Sequence, residues 1–309
     1  MFLILPPFVK GGCLQSRRGD SFHSTRVCKK SLKKRGISSA EVLFMKKLGF
    51  IGAGNMGGAL ILAAAQSEQK NEILVADKIG EKAKELAEKT GAKFCDNITA
   101  AKEADYIFLG VKPQMLRELM EEISPVLAER KDRFILVSML AAFTCERICE
   151  AAGGKYPVIR IMPNTPASIG EGMILYAPNG DVTPGETEYF IKSLEKAGRF
   201  SPLAEKLIDA GASVAGCGPA FVDLFVEALA DGGVACGLPR AQAIEFAAQM
   251  TAGAAKLILE SKKHPGKLKD EVCSPGGTTI QGVRALENGG FRAAVMEAVI
   301  AAYEKNFEL

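Results

Sequence analysis

The chain is 309 residues long, 48% hydrophobic and 24% charged, with a formal net charge of +3. That length supplies apolar material for two cores in a water-soluble globular protein, and the size favours two domains over one. Nine of the 39 Lys and Arg fall in residues 1–44 beside only Asp20 and Glu41, so residues 45–309 carry 30 basic and 34 acidic side chains, which removes the reason to invoke a nucleic-acid partner.

Residues 1–44 open with Phe2-Leu3-Ile4-Leu5-Pro6-Pro7-Phe8-Val9, too short and too broken by proline to span a bilayer, and without the charged region that precedes a secretory core. Their Lys, Arg and Ser fit an organelle transit peptide; the composition favours a structureless or wrongly translated leader, with Met45 as the start. No stretch of the chain reads as a membrane span, and a cytoplasmic location is expected. The eight cysteines include no CxxC pair and no histidine cluster to complete a zinc site, so no metal is expected. Cys145 and Cys149, one helical turn apart, suggest either a redox pair or, as a reducing cytosol favours, two packed thiols.

From Lys46 short apolar runs alternate with helical stretches. Leu48 to Ile51 reads as a strand, followed by a small-residue helix through Gln66, a strand at Ile73 to Ala76 and a charged helix from Gly80 to Thr90, together a βαβ unit. Further continuous apolar runs at Tyr106 to Val111, Phe134 to Ser138 and Val158 to Met162 have the character of buried parallel strands, and Met173 to Ala177 reads as one more strand. A helix at about Pro184 to Ala197 follows, after which strand signals largely disappear. From Ala204 the chain is helical, broken at Gly216-Cys217-Gly218-Pro219, Gly237-Leu238-Pro239, His264-Pro265-Gly266 and Ser274-Pro275-Gly276-Gly277. Ala220 to Leu229 is apolar around most of its circumference, more than a domain of that size can cover, which predicts a homodimer interface. The expected fold is a Rossmann-type α/β N-terminal domain over 45–203 and an all-α dimerisation domain over 204–309.

Gly52, Gly54 and Gly57 follow a strand directly and open a helix, the context in which GxGxxG marks a dinucleotide site. Gly52 permits the turn, Gly54 lets the backbone approach the pyrophosphate, and the uncapped helix end supplies N–H groups to it. Asp77 ends the second strand where a carboxylate accepts the adenosine ribose hydroxyls, which argues for NADH; Lys78 beside it suits a 2′-phosphate, which keeps NADPH open. Asp77 also suits a cap for the helix near Gly80. The loops at Val111-Lys112-Pro113 and Ala141-Ala142 lie at the carboxyl edge of the sheet, where small residues let a nicotinamide lie flat. Lys112 fits either a cofactor contact or a solvated strand end.

Histidine is scarce. Beyond residue 44 there is only His264, in a polar turn, and the helix after Gly218 offers Asp223, Glu227 and Asp231 but no lysine, so the usual base for a hydroxyl substrate is lacking. Hydride delivery to a C=N bond needs no such base, because a protonated imine is already electrophilic and positioning supplies most of the catalysis. In Ser274-Pro275-Gly276-Gly277-Thr278-Thr279 a proline-fixed turn and two glycines free backbone N–H groups at a helix start, a clamp for a carboxylate. The alternative is that Ser274 and the threonines only cap the helix.

Taken together, Gly49 to Gly57, Val111-Lys112-Pro113, Met162-Pro163-Asn164-Thr165-Pro166, Gly218-Pro219-Ala220-Phe221, Ala228 to Val234 and Ser274 to Thr279 resemble the pyrroline-5-carboxylate reductases, from Lys46 to the C-terminus. The resemblance implies NAD(P)H-dependent reduction of the imino acid 1-pyrroline-5-carboxylate to L-proline, by dimers with interlocked C-terminal helices that assemble into decamers. It implies cofactor contacts from Ile51, Gly52, Ala53, Gly54, Asn55, Met56, Gly57, Asp77, Asn97, Val111, Lys112, Pro113 and Ala141. It places the substrate on Ser274, Gly276, Gly277, Thr278 and Thr279, the Thr279 hydroxyl on the ring nitrogen, with Asn164 and Glu205 near the ring pocket. Two motifs depart from the family pattern: Ser138-Met139-Leu140-Ala141-Ala142 stands for Ser-x-Ala-Ala-Gly, and Cys217 stands for serine in Gly216-Cys217-Gly218-Pro219; Glu271 occupies a position where some relatives carry an amide. The competing readings are another two-domain reductase, such as a β-hydroxyacid dehydrogenase or a deazaflavin-linked NADP reductase, and a cofactor-sensing protein without turnover.

Overall fold

Strand β1 (Lys46–Ile51) sits at the centre of an eight-stranded sheet of order β3-β2-β1-β4-β5-β6-β7-β8, in a computed structural model that describes residues 45–308. The readings made of residues 1–44 lie outside the described residues. The other strands are β2 (Asn71–Ala76), β3 (Lys93–Phe94), β4 (Tyr106–Leu109), β5 (Ile135–Ser138), β6 (Val158–Met162), β7 (Gly172–Pro178) and β8 (Gly198–Pro202). Helices α1 (Asn55–Gln66), α2 (Gly80–Thr90), α3 (Asn97–Glu103), α4 (Leu116–Glu129), α5 (Cys145–Ala151) and α6 (Pro184–Ser193) connect and cover it. Strands β1 to β6 are parallel, and β1, β2, β4, β5 and β6 are largely buried on both faces, which is why their apolar runs are continuous rather than alternating. Phe50, Phe108 and Val137 face one side, where Leu60, Ile61 and Phe190 cover them. Ile51, Ile107, Leu109 and Leu136 face the other, under Leu119, Ile123 and Ile148. Each such side chain contributes about 1.5–3 kcal/mol on burial.

Two features go beyond the sequence reading. Strand β7 runs antiparallel to β6, because the connection through the 3₁₀ turn Thr165–Ile169 is too short for a parallel crossover. Strands β3 and β8 also escape the apolar-run criterion: β3 has two exposed residues, and β8 is a half-exposed edge strand ending in proline.

The rest of the described chain is helical: α7 (Ile208–Ala215), α8 (Gly218–Ala235), α9 (Arg240–Ser261), α10 (Pro265–Glu271), α11 (Thr278–Asn288) and α12 (Phe291–Lys305). Helix α7 packs on β7 and also meets α12, so it joins the helical layer to the sheet. Beneath that junction Arg160 of β6, 1% exposed, donates to Asp209 of α7 at 2.5 Å, while its Nε has no hydrogen-bond partner among the described residues. Glu205–Ala235 is, by length and composition, apolar enough to cross a membrane, which corrects the reading that no stretch could; its apolar window is only 11% buried in the single chain.

Candidate active site

The first glycine loop lies between β1 and α1, tied down by Gly52 N–H donating to Ala76 O and Gly110 N–H to Ile51 O, both at 2.8 Å. Gly52 adopts φ +110, and a Cβ there would come within 2.5 Å of the Gly110 carbonyl oxygen. At Gly57 a Cβ would meet Gly52 O at 2.0 Å, so the helix can approach the strand only without one. Gly54 is exposed with open space where its Cβ would be. It is the N-cap of α1 with no side-chain cap and no acid in the first turn, so the N–H groups there are free for an anion. This cradle fits the diphosphate of a dinucleotide.

Asp77 stands at the end of β2 as expected, but the cap reading is corrected: α2 begins after Ile79 without a side-chain cap. The carboxylate instead accepts from Ala53 N–H at 2.6 Å and Ile79 N–H at 2.7 Å, so it braces the glycine loop while its remaining lone pairs stay open to a ribose. Lys78 is bonded to Glu118 at 2.9 Å. Along the carboxyl edge, Val111 and Ala141 are half-buried and Lys112 is exposed, with no side-chain bond among the described residues, ahead of the 3₁₀ turn Pro113–Met115. Asn55 and Met56 open α1, and Asn97 opens α3 with its amide donating to Glu122 at 2.7 Å.

The second loop precedes α11. Gly276 takes φ +71, Gly277 N–H closes the turn onto Ser274 O at 3.0 Å, and Gly277 is the N-cap with no side-chain cap bond. The capping alternative for Ser274 and the threonines is thereby corrected. Ser274, Thr278 and Thr279 are exposed, and no side-chain hydrogen bond engages their hydroxyls among the described residues. Glu271 is held by Lys263 at 2.8 and 3.0 Å.

Asn164 is buried, its amide donating to Ala215 O and accepting from Met173 N–H, each at 2.9 Å. Glu205 accepts from Cys145 N–H at 2.5 Å, which ties the start of the helical half to the loop after β5. His264 caps α10, its Nδ1 accepting from Gly266 N–H at 3.1 Å. The redox reading of Cys145 and Cys149 is corrected as well: their thiols point to separate backbone carbonyls, and burial pushes the Cys145 thiol up to about 12. Among the described residues no group of three His, Cys, Asp or Glu is placed to hold a metal ion. The residues that sequence reasoning passed over are Arg160, with its partner Asp209, and Arg147; an arginine inside an apolar strand, Val158-Ile159-Arg160-Ile161, was the available signal.

Residues 205–309 match a family model described as pyrroline-5-carboxylate reductase dimerisation, and residues 47–142 match one described as NADP oxidoreductase coenzyme F420-dependent. The pyrroline-5-carboxylate reductase of Escherichia coli strain K12 is 42% identical over 267 residues, which span 85% of this chain and 98% of that protein. That of Glycine max is 38% identical over 265 residues, 85% of this chain and 95% of that protein. Among solved structures, the Plasmodium falciparum pyrroline carboxylate reductase with NADP bound is similar at a TM-score of 0.75 and 30% identity, over 84% of this chain and 97% of that one. A pyrroline-5-carboxylate reductase from Coxiella burnetii gives a TM-score of 0.79 and 30% identity, over 85% and 98%.

Proposed function

The chain belongs to the pyrroline-5-carboxylate reductase family, and on that premise we propose that it uses NAD(P)H to reduce the C=N bond of 1-pyrroline-5-carboxylate, completing L-proline biosynthesis. The reduced nicotinamide, when bound, supplies the hydride. The glycine loop holds the diphosphate on the free N–H groups of α1. Asp77 holds the adenosine ribose, which favours NADH, while its bond from Ala53 N–H keeps the loop in register with that ribose. Ile51 to Gly57, Asn97, Val111, Lys112, Pro113 and Ala141 complete the cofactor contacts.

The observation that carries the substrate assignment is the second loop: open amides and unbonded hydroxyls at the start of α11, with the capping role removed. The open N–H groups of Gly276 and of the first turn of α11 hold the substrate carboxylate, while the Gly277 N–H closes the turn. Thr279 bonds the ring nitrogen with its hydroxyl and keeps it aligned as the hydride reaches carbon and the nitrogen retains its proton. Thr278 lines the same pocket. Asn164 and Glu205 support the pocket from behind, Asn164 through Ala215 and Met173, and Glu205 through Cys145.

The chain assembles with copies of itself. We further assign 45–203 to cofactor binding and 204–309 to substrate binding and dimerisation, with α8 and α9 forming the dimer interface and dimers gathering into decamers. The apolar stretch Glu205–Ala235 then serves as that interface in a cytoplasmic enzyme, not as a membrane span.

The test is oxidation of NADH or NADPH in the presence of pyrroline-5-carboxylate. No turnover with either cofactor overturns the assignment. Thr279→Ala should lower kcat/KM about 10- to 1,000-fold, the loss of one transition-state hydrogen bond, and an unchanged value makes Thr279 a helix residue only.

A further inference from the structure

Ala142 sits at φ +62, in the left-handed region; among the described residues the only other non-glycine residue with positive φ is Lys262, at the end of α9. That conformation disfavours a residue carrying a Cβ about tenfold (about 1.4 kcal/mol) and persists only where the surroundings impose it. Two contacts impose it here. Arg147 of α5 donates from Nη1 to the Ala142 carbonyl oxygen at 2.7 Å. The same guanidinium lies 4.2 Å from the centroid of the Phe143 ring, and Phe143 shares a cleft with Pro113, Leu116 and Met120. The bracket therefore spans the loop after β5 and reaches the segment after β4, the two places where the sheet edge meets the nicotinamide end of the cofactor.

We propose that Arg147 is a positioning residue for the cofactor: by clamping Ala142 in the left-handed conformation it fixes Ala141 at the sheet edge before any ligand arrives. This rests on the assignment of Ala141 to the cofactor. Without the clamp Ala142 relaxes to ordinary backbone conformations, the competent loop becomes a minority state, and the apparent affinity falls by that fraction. A glycine at 142 adopts the left-handed conformation readily and needs no clamp.

The experiment is a double-mutant cycle on the full chain, read as the dissociation constant of NADH or NADPH from nicotinamide fluorescence. Arg147→Ala should weaken cofactor binding about tenfold in the parent but by no more than about threefold in an Ala142→Gly background, while Ala142→Gly alone stays within about twofold. The KM for pyrroline-5-carboxylate should move less than about twofold, because the second loop holds that ligand. Equal losses in both backgrounds, no loss in either, or a parallel rise in the substrate KM would overturn the proposal. Hydrogen exchange of the amides of residues 141–144 in the cofactor-free protein locates the failure: unchanged exchange in Arg147→Ala removes the clamp itself. Faster exchange with unchanged cofactor affinity also overturns the proposal, but by removing the cofactor role of Ala141.

Discussion

In the sheet half Phe50, Phe108 and Phe190 are all at 1% exposure or less, whereas from α8 to α12 the only buried hydrophobic residues are Ala230, Ala243 and Ala247. Among the described residues, four of the exposed large hydrophobics precede residue 205 and nineteen follow it, Leu224 at 67% and Phe246 at 54% among them. The sheet half closes its own core because helices cover both faces. The helical half keeps small residues where its helices meet within the chain and turns its large ones outward, the face that the proposed dimer covers.

The strongest way to break this contrast is to charge the outward face. Leu224→Asp with Phe246→Asp should raise the dimer dissociation constant at least about a thousandfold (about 4 kcal/mol), seen as monomers by sedimentation, with the circular dichroism of the sheet half retained. A dimer that survives would move the interface elsewhere. Next in size is the weld between the halves. Asp209→Ala strands the buried Arg160 charge and should cost about 3 kcal/mol in urea unfolding, and adding Arg160→Leu should recover much of it. If the single and double variants unfold alike, the pair couples nothing.

The smallest effect belongs to the sheet half alone. Arg133 donates to both carboxylate oxygens of Glu186, at 2.6 and 2.9 Å, and this bond holds the Glu186 carboxyl down at about 2. A depressed carboxyl contributes stability that is complete above its unfolded value near 4.5 and is lost as pH falls toward about 2. Arg133→Ala should therefore cost about 0.5 kcal/mol at pH about 6 and progressively less in thermal melts below pH about 4. A constant deficit down to pH about 2 would assign the loss to packing.

The central sheet and the glycine loop were legible because one constraint, burial on both faces, writes the same apolar run into β1, β2, β4, β5 and β6. Asp77 was legible by position but not by partner: its bond to Ala53 N–H joins groups 24 residues apart, and no local pattern encodes it. Asn164 was legible as important, yet both sides of its amide turn to the backbone of β7 and α7. The left-handed Ala142 was hidden because alanine normally signals the opposite conformation; the glycine that the family pattern carries at that position was the available signal. Strand β8 was missed because a sheet edge demands little hydrophobicity, and the antiparallel turn into β7 depends on connection length more than on either strand.

Alanine-only burial from α8 to α12 has a consequence for how the protein behaves in a dilute solution. A layer that gains most of its apolar cover from a second chain has a stability set by mass action, so its unfolding midpoint rises with protein concentration while that of the sheet half does not. Dilution alone should then separate one thermal transition into two.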